Sequence, residues 1–307
     1  MHCISRVTHR DITRSSWHTE HMTRTETRSD GGQLILRARL GARLRALRET
    51  AGVTPEQAAR HIGVSPSTLS RMETGKQTSK IAYVRALTSL YGAAQAADEL
   101  ADLAERGAAP AWWTEHGVDA WVRELLAREA IASRICVFEV ALVHGLLQTE
   151  GYIRGFRNAA IPDPVEEETQ KIIDFRLARQ QHLGENGAPR LHVVLEQAVL
   201  LRPVGDSAAW RGQLEHLVAA AEQEQVTIQI LPFASGAHPA MGVPFTAITV
   251  DEEPGLDAVY LEDDRGGRQL TRESDLRRYR GIFDRLTSDS WPAEKSVAYV
   301  STLARNA

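Results

Sequence analysis

The feature that most constrains the fold is a pair of short helical segments in the stretch TPEQAARHIGVSPSTLSRMETGK, which runs from Thr54 to Lys76. Thr54, with proline after it and Gln57 three residues on, forms the capping box that begins a helix. Ser65, also followed by proline, begins the second helix, and Gly63 permits the left-handed backbone of a tight turn between them. Helices this short are not stable alone in water. The spacing therefore predicts a helix-turn-helix held inside a larger helical core.

Apolar residues at helical spacing flank this pair on both sides. Leu36, Leu40, Leu44 and Leu47 mark a helix before it, and the segments 81–90 and 93–106 add two helices after it. We therefore predict a five-helix domain over residues 34–106. Residues 1–33 have no apolar period, so we predict a disordered leader there, with Met22 as a candidate true start.

The rest of the chain mixes strand and helix patterns. After a predicted linker at 107–111, residues 112–307 contain strand-like runs such as RICVFEV, RLHVVLE, VTIQILPF, PFTAITV and DAVYLED, separated by amphipathic stretches. The predicted fold class is mainly α, with the five-helix domain followed by a larger α+β domain. At 307 residues the chain is long enough for two domains, and we expect each to have its own core.

Charge divides unevenly between these two regions. Residues 34–92 hold ten arginines and lysines against three acidic residues, a net charge of +7. Residues 93–307 hold 21 basic and 33 acidic residues, a net charge of −12. The basic region, which we call the head, suits the phosphates of DNA. The acidic region, which we call the body, is repelled by them and suits a partner or sensor role.

Other broad classes fit the sequence poorly. No run of about 18 apolar residues is present, which argues against a membrane span. The first residues lack the apolar core of a secretory signal, and the two cysteines lie far apart, which argues against a disulfide scaffold. We expect a cytoplasmic, nucleoid-associated protein.

The helix-turn-helix pattern separates buried from outward-facing residues. Ala59 is small enough for the point where the helices cross, and Leu69 and Met72 supply the buried side of the second helix. Hydroxyl groups and helix N-termini suit phosphates, and a guanidinium suits a guanine edge in the major groove. The predicted DNA-binding residues are Thr54, Gln57, Ser65, Ser67, Thr68, Arg71 and Lys76.

Residues 40–92 resemble the lambda-repressor-like, xenobiotic-response-element (XRE) class of helix-turn-helix domain. That class typically ends its motif with Ser-Arg-Ile-Glu-x-Gly-Lys, and this chain has SRMETGK at 70–76. The resemblance implies that Glu73 pairs with an arginine of the first helix, either Arg45 or Arg48, rather than with a base. The chain departs from the class at Pro55, where family members often place a glutamine that braces a phosphate contact.

The segments ALVHGLLQTEGYIRGF, VTIQILPFASGAHPAMGVPFTAITV and RRYRGIFDRL resemble the C-terminal domain of actinobacterial antitoxin-like transcriptional regulators. The chain departs from that group at His144-Gly145, where Pro-Gly is usual. The resemblance implies a regulator that binds double-stranded DNA, forms a homodimer and has a small protein partner encoded nearby.

No set of residues points to catalysis, a cofactor or a metal. The chain has only four lysines, and none lies close after a serine in a strand-rich segment, which argues against a self-cleaving Ser–Lys pair. The stretch LPFASGAHPAMGVPF, between two predicted strands, is the most unusual of the body, and loops of this kind often have a function. Phe233, His238 and Met241 are the candidate partner or ligand contacts. The alternative is a loop that only connects two strands.

Two functional hypotheses follow. The first is a sequence-specific transcriptional regulator whose second domain receives a protein partner or a ligand. The second is an antitoxin-like interaction module that neutralises a small partner protein, with DNA binding secondary. We do not expect an enzyme.

Overall fold

The computed structural model describes residues 31–108, 113, 116–185, 189–250, 254–263 and 266–307. The N-terminal part contains five α-helices, as predicted: α1 (Gly31–Thr50), α2 (Pro55–His61), α3 (Pro66–Glu73), α4 (Ile81–Leu90) and α5 (Ala97–Ala108). The predicted disordered leader lies outside the described residues, except that 31–33 form the start of α1.

Aliphatic residues from all five helices form the core of this head. The predicted inward positions of α1 are confirmed at Leu36, Leu40 and Leu44, which are buried. Further core residues are Ala58, Ala59, Leu69, Met72, Val84, Leu87 and Leu100. The two short helices are thus held by neighbours that bury their apolar sides, which offsets their low intrinsic stability.

The second part is an α+β domain, as predicted. Its elements are α6 (Ala120–Glu129), β1 (Arg134–Glu139), α7 (Glu150–Ala160), α8 (Glu166–Glu185), β2 (Arg190–Glu196), α9 (Ser207–Ala221), β3 (Val226–Leu231), β4 (Phe245–Thr249), β5 (Ala258–Asp263), β6 (Gly266–Leu270), α10 (Glu273–Asp289) and α11 (Ala293–Asn306). None of the helices in the described ranges is long and apolar enough to cross a membrane.

The six strands form one mixed sheet in the order β3-β2-β1-β4-β5-β6. β1, β2 and β3 are parallel, and they are linked by helical crossovers, as parallel strands require. β4, β5 and β6 continue the sheet in antiparallel pairs. The sheet therefore changes from parallel to antiparallel pairing at β1.

Alternating residues place the two faces of the sheet in different cores. Ile135 and Val137 of β1 face a layer that includes Tyr152 of α7 and Leu214 of α9. Phe138 follows Val137 and therefore lies on the opposite face, where it packs against a cluster that includes residues of α10. Both faces are covered, which explains the nearly continuous apolar runs of β1, β2 and β3.

The head and the second domain share a core, which differs from the expectation of two separate ones. Trp113, Leu126, Ala127, Ile131 and Val250 belong to the same buried cluster as the leucines of α1. Polar contacts reinforce this boundary, since Arg106 Nη2 donates to the carbonyl oxygen of Ala130 at 2.9 Å. Sequence patterns identify which residues are apolar, but not which domain they pack against.

The predicted linker at 107–111 begins too early. Gly107 and Ala108 form the last residues of α5, and the remaining positions lie outside the described residues. Gly107 is buried, and Arg37 Nε donates to its carbonyl oxygen at 2.8 Å. A Cβ at Gly107 would lie 3.3 Å from Arg37 Cγ. This glycine therefore permits close packing on α1 instead of forming a joint.

Strand β6 was not predicted. Its sequence, GGRQL, has two glycines and three residues of mixed polarity, which reads as a turn. In the structure it pairs with β5, and Gly267 lies against the indole of Trp121. A Cβ at Gly267 would stand only 2.1 Å from Trp121 Cε3. The glycine is present because a ring from α6 occupies the space of a side chain.

Candidate DNA-binding interface

The capping box predicted at the start of α2 is present. Thr54 Oγ1 accepts a hydrogen bond from the Gln57 amide at 3.2 Å, and Gln57 Oε1 accepts one from the Thr54 amide at 2.9 Å. Both side chains are exposed, and Pro55 occupies the first turn. The two predicted DNA contacts Thr54 and Gln57 therefore bind each other in this structure, which fixes where α2 begins.

The turn between α2 and α3 has the geometry that its sequence predicts. Gly63 has φ of 70°, the left-handed region that favours glycine. Ala59 is buried, and its carbonyl oxygen accepts from the Val64 amide at 2.9 Å. A small side chain at Ala59 allows α2 and α3 to cross closely, and this sets the angle at which α3 leaves the turn.

The N-terminal turn of α3 brings four of the predicted contacts together. Ser65 Oγ accepts from the Thr68 amide at 3.2 Å, and lies 2.9 Å from the hydroxyls of both Ser67 and Thr68. Arg71 Nη2 donates to Thr68 Oγ1 at 3.1 Å, and Arg71 Nε donates to Gln77 Oε1 at 3.1 Å. The first turn contains no acidic residue. These donors form one polar surface at the positive end of the helix dipole, where a phosphate is favoured.

Gln77 is a member of this surface that the sequence analysis did not identify. It lies beyond the end of α3, and its amide oxygen orients the Arg71 guanidinium. Lys76 is exposed one residue earlier. Both follow Gly75, at the site where the chain turns away from α3.

A buried ion pair fastens α3 to α1. Arg48 Nε and Nη2 donate to the two carboxylate oxygens of Glu73 at 2.7 and 3.0 Å, and Arg48 Nη1 donates to the carbonyl oxygen of Val53 at 3.2 Å. This confirms Arg48 as the partner of Glu73, whereas Arg45 pairs with the exposed Glu49. The hydrogen bond to Glu73 raises the pKa of Arg48. Glu73 is therefore a structural residue that fixes the end of the α3 helix.

Two glycines let α1 and the end of α3 approach at backbone distance. A Cβ at Gly41 would lie 2.5 Å from the carbonyl oxygen of Met72. A Cβ at Gly75, which has φ of 70°, would lie 2.6 Å from Ala38 Cα. Together with the Arg48–Glu73 pair, these contacts hold α3 rigidly and leave its outer face free for a ligand.

The residues predicted for partner binding separate into two kinds. Phe233 and Met241 are 61% and 65% exposed, so both are accessible to a partner. The side chain of His238 is only 5% exposed, with Nε2 at 2.7 Å from Glu196 Oε1 and its ring packed edge-on to Phe138. His238 therefore anchors the loop to the sheet and is much less accessible than Phe233 and Met241, and its role as a partner or ligand contact stays a prediction.

No metal-binding group is evident in the described ranges, where no cluster of three or more His, Cys, Asp and Glu side chains has suitable geometry.

The fold and the surface at α3 define a helix-turn-helix DNA-binding regulator. Comparison with protein-family models agrees, because residues 39–103 match a helix-turn-helix domain. Residues 122–302, more than half of the chain, match a second model described as a domain of unknown function, DUF5753, and the chain belongs to that family. Separate comparisons with curated proteins and with solved structures gave no match.

Proposed function

We propose that this protein is a sequence-specific transcriptional regulator that places α3 in the major groove of an operator. The observation that supports this most directly is the exposed cluster of Ser65, Ser67, Thr68 and Arg71. Hydroxyls at a helix N-terminus suit phosphates, and the Arg71 guanidinium suits the O6 and N7 atoms of guanine. The net charge of +7 over residues 34–92 adds attraction for the DNA backbone.

The proposed DNA-binding form is a homodimer. A single short recognition helix contacts only a few base pairs, and this motif gains affinity by pairing two half-sites about 34 Å apart. We place the protein in the cytoplasm, associated with the nucleoid, and assign it no reaction.

The second domain, in this proposal, receives a protein partner or a ligand. Its charge of −12 over residues 93–307 disfavours contact with DNA. The likeness to actinobacterial antitoxin-like regulators suggests a small protein encoded nearby as the partner. The exposed Phe233 and Met241 favour a protein contact, and they also support the second candidate function, an antitoxin-like module that neutralises this partner.

The DNA-binding proposal is tested with Arg71→Ala. Operator fragments are first selected from a random-sequence DNA library with the full chain, and affinities are then measured by fluorescence anisotropy. Arg71→Ala is expected to weaken specific binding by about 1–3 kcal/mol, the size of one good base contact. The melting temperature should not change, because Arg71 is exposed.

The matched control for this test is Arg85→Ala. Arg85 is an exposed arginine of α4 that pairs only with the highly exposed Asp98 in the described structure. Its loss should change affinity far less. Equal losses in the two variants would show that only overall charge matters, and the assignment of α3 as recognition helix would then be withdrawn.

The partner proposal is tested with the double variant Phe233→Ala/Met241→Ala. The tagged full chain is co-expressed with the small open reading frame next to its gene, and retained protein and oligomeric state are measured by mass spectrometry and light scattering. Val165→Ala is the control, because Val165 is similarly exposed at 55% but precedes α8. If the double variant retains both partner and self-association, the loop is only a connection.

A further inference from the structure

The carboxyl end of β1 places two acidic residues on one face of the sheet. Val137 of β1 pairs with Thr246 of β4, which pairs with Tyr260 of β5. Glu139 lies two residues after Val137, and Glu262 lies two residues after Tyr260, so the two glutamates are level with each other across the sheet. Because side chains alternate between the faces of a strand, both lie on the same face as Tyr260. With one strand between them, their backbones are about 9–10 Å apart.

Two arginines of α8 border the same place. Arg179 donates to both carboxylate oxygens of Glu129, the last residue of α6. Arg176 donates to the amide oxygen of Gln148, and no carboxylate of the described chain lies within ion-pair distance of it. Gln148 is itself fixed, since its Nε2 donates to the carbonyl oxygen of Val143 at 2.6 Å. Arg176 is therefore a positioned guanidinium without a direct ion-pair partner in the described part of the chain.

Glu139 is the complementary group, an acidic side chain without a direct ion-pair partner. No hydrogen-bond or ion-pair partner for it exists among the residues that the structure describes. Burial, reinforced by Glu262 and opposed by Arg179, raises the pKa of Glu139 to about 8. Burial also lowers the pKa of Arg176, with a further contribution from Arg179. Unpaired charges in such surroundings are costly.

These groups are half-buried and are not sealed in a core. Glu139, Arg176 and Arg179 each keep part of their surface accessible to solvent, although loss of solvation is the largest cause acting on the pKa of each. Side chains with both properties indicate a recess in the surface around these three residues, which we call the cleft. The cleft is at the carboxyl edge of β1, where the sheet changes from parallel to antiparallel pairing. Open α/β sheets commonly bind ligands outside the carboxyl ends of their parallel strands, and β1 is the last strand of the parallel part of this sheet.

We infer that this cleft binds a small zwitterion, with an ammonium group paired to Glu139 and a carboxylate paired to Arg176. The remaining guanidinium nitrogens of Arg176 can bind a carboxylate in a fork. A metal ion fits less well, because the described residues contain no group of three or more His, Cys, Asp and Glu side chains that could hold one. The inference rests on the proposed function, in which the second domain receives a signal.

Ligand binding is tested on the full chain without DNA. The probes are the standard amino acids, γ-aminobutyrate and ε-aminocaproate, each at about 10 mM, a concentration that reveals ligands with millimolar affinity. At least one probe is expected to raise the melting temperature in a saturable way. Its N-acetyl and amide derivatives, which each lack one charge, should not. If no probe binds, or if either derivative binds equally well, the inference is overturned.

Three variants and a proton count assign the site. Glu139→Gln and Arg176→Gln should each weaken binding of the active probe by about tenfold or more, as expected for a lost charged hydrogen bond. Glu215→Gln, an exposed change on α9, should not alter binding. Retained affinity in Glu139→Gln with loss in Arg176→Gln would indicate a simple anion site and would refute the zwitterion.

The proton count does not depend on how well a variant folds. The charged groups facing Glu139 are Glu262 and Arg179. Burial lowers the pKa of the neighbouring His144 to about 3, so this imidazole stays neutral and does not contribute near pH 7. An arriving ammonium should lower the pKa of Glu139 and release close to one proton at about pH 7, seen as buffer-dependent heat in titration calorimetry. Binding without proton release contradicts the assignment of the ammonium to Glu139. DNA affinity of the unliganded chain is measured separately, so failure here leaves the DNA-binding proposal intact.

Discussion

Replacing Glu73 by glutamine tests whether the motif of α3 depends on a buried ion pair. The Arg48 and Glu73 side chains are 9% and 7% exposed, and they meet through two charged hydrogen bonds. Glutamine keeps the shape of Glu73 but removes the charge and replaces one acceptor by a donor. Arg48 is then left buried with its charge only partly compensated.

The size of the effect follows from what remains around Arg48. Removing one partner of a buried pair usually costs about 3–5 kcal/mol. Arg48 keeps its hydrogen bond to the Val53 carbonyl and a 3.8 Å approach to the exposed Glu49, so we expect the lower end, about 3 kcal/mol. For a chain of 307 residues, that loss lowers the melting temperature by about 5 °C.

The assay is denaturant unfolding of Glu73→Gln, Arg48→Met and the double variant. The double-mutant cycle should give a coupling energy of about 2–3 kcal/mol. The matched control is Glu49→Gln, which breaks the exposed Arg45–Glu49 pair, with side chains 59% and 54% exposed, and should cost less than about 1 kcal/mol. If Glu73→Gln costs no more than this control yet abolishes DNA binding, Glu73 acts at the DNA and the structural argument is wrong.

Three further predictions concern other parts of the structure. Gly75→Ala should destabilise the chain clearly more than Gly52→Ala in denaturant unfolding. Both glycines have a positive φ, but a Cβ at Gly75 would lie 2.6 Å from Ala38 Cα, whereas a Cβ at Gly52 would meet nothing within 4 Å. The free energy of unfolding is next measured against pH for the wild type and for Glu139→Gln. Between about pH 5 and pH 8, the wild-type value should fall relative to that of the variant. The raised pKa of Glu139 means that the folded state binds this proton more tightly than the unfolded state does, so the wild type loses stability as the proton leaves. Leu126→Ala should lower the free energy of unfolding, measured by calorimetry, by about 2–5 kcal/mol, because this side chain fills the core shared with α1. A loss of less than about 1 kcal/mol would mean that the two domains pack only loosely.

Local signals predicted the head well because they act over three to five residues. The capping box at Thr54 and Gln57, the cap at Ser65 and the turn at Gly63 each depend on their own neighbours. The Arg48–Glu73 pair spans 25 residues, and it was foreseen only as one of two alternatives that a family resemblance implied. Geometry was needed to choose between Arg45 and Arg48.

Features made by distant residues could not be predicted in this way. Glu139 ends β1 and Arg176 lies in α8, and no spacing rule connects them. Glycines were also misleading. Gly107 was part of the predicted linker, and the sequence around Gly267 indicated a turn. In the structure each makes room for a large side chain from another element, Arg37 or Trp121. A glycine required by close packing has the same appearance in sequence as one required by a turn.

The α6 helix is where these two kinds of feature meet. Its consecutive residues contact different parts of the structure. Leu125 packs in the core under the sheet, whereas Leu126 and Ala127 pack in the core of the head. Arg128 donates hydrogen bonds to Tyr260 and to the carbonyl oxygen of Leu256, and Glu129 accepts hydrogen bonds from Arg179. A helix this short moves as one body, so a shift of its C-terminal end displaces Leu126 against α1.

The position of α1 in turn sets that of α3, through the glycine contacts and the Arg48–Glu73 pair. A zwitterion beside Arg176 and Arg179 therefore acts on the same rigid connection that orients the recognition helix. Contact along a route does not by itself produce regulation. The ligand changes DNA affinity only to the extent that it binds two arrangements of α6 with different affinities. The factor by which the ligand changes DNA affinity must equal the factor by which bound operator DNA changes ligand affinity.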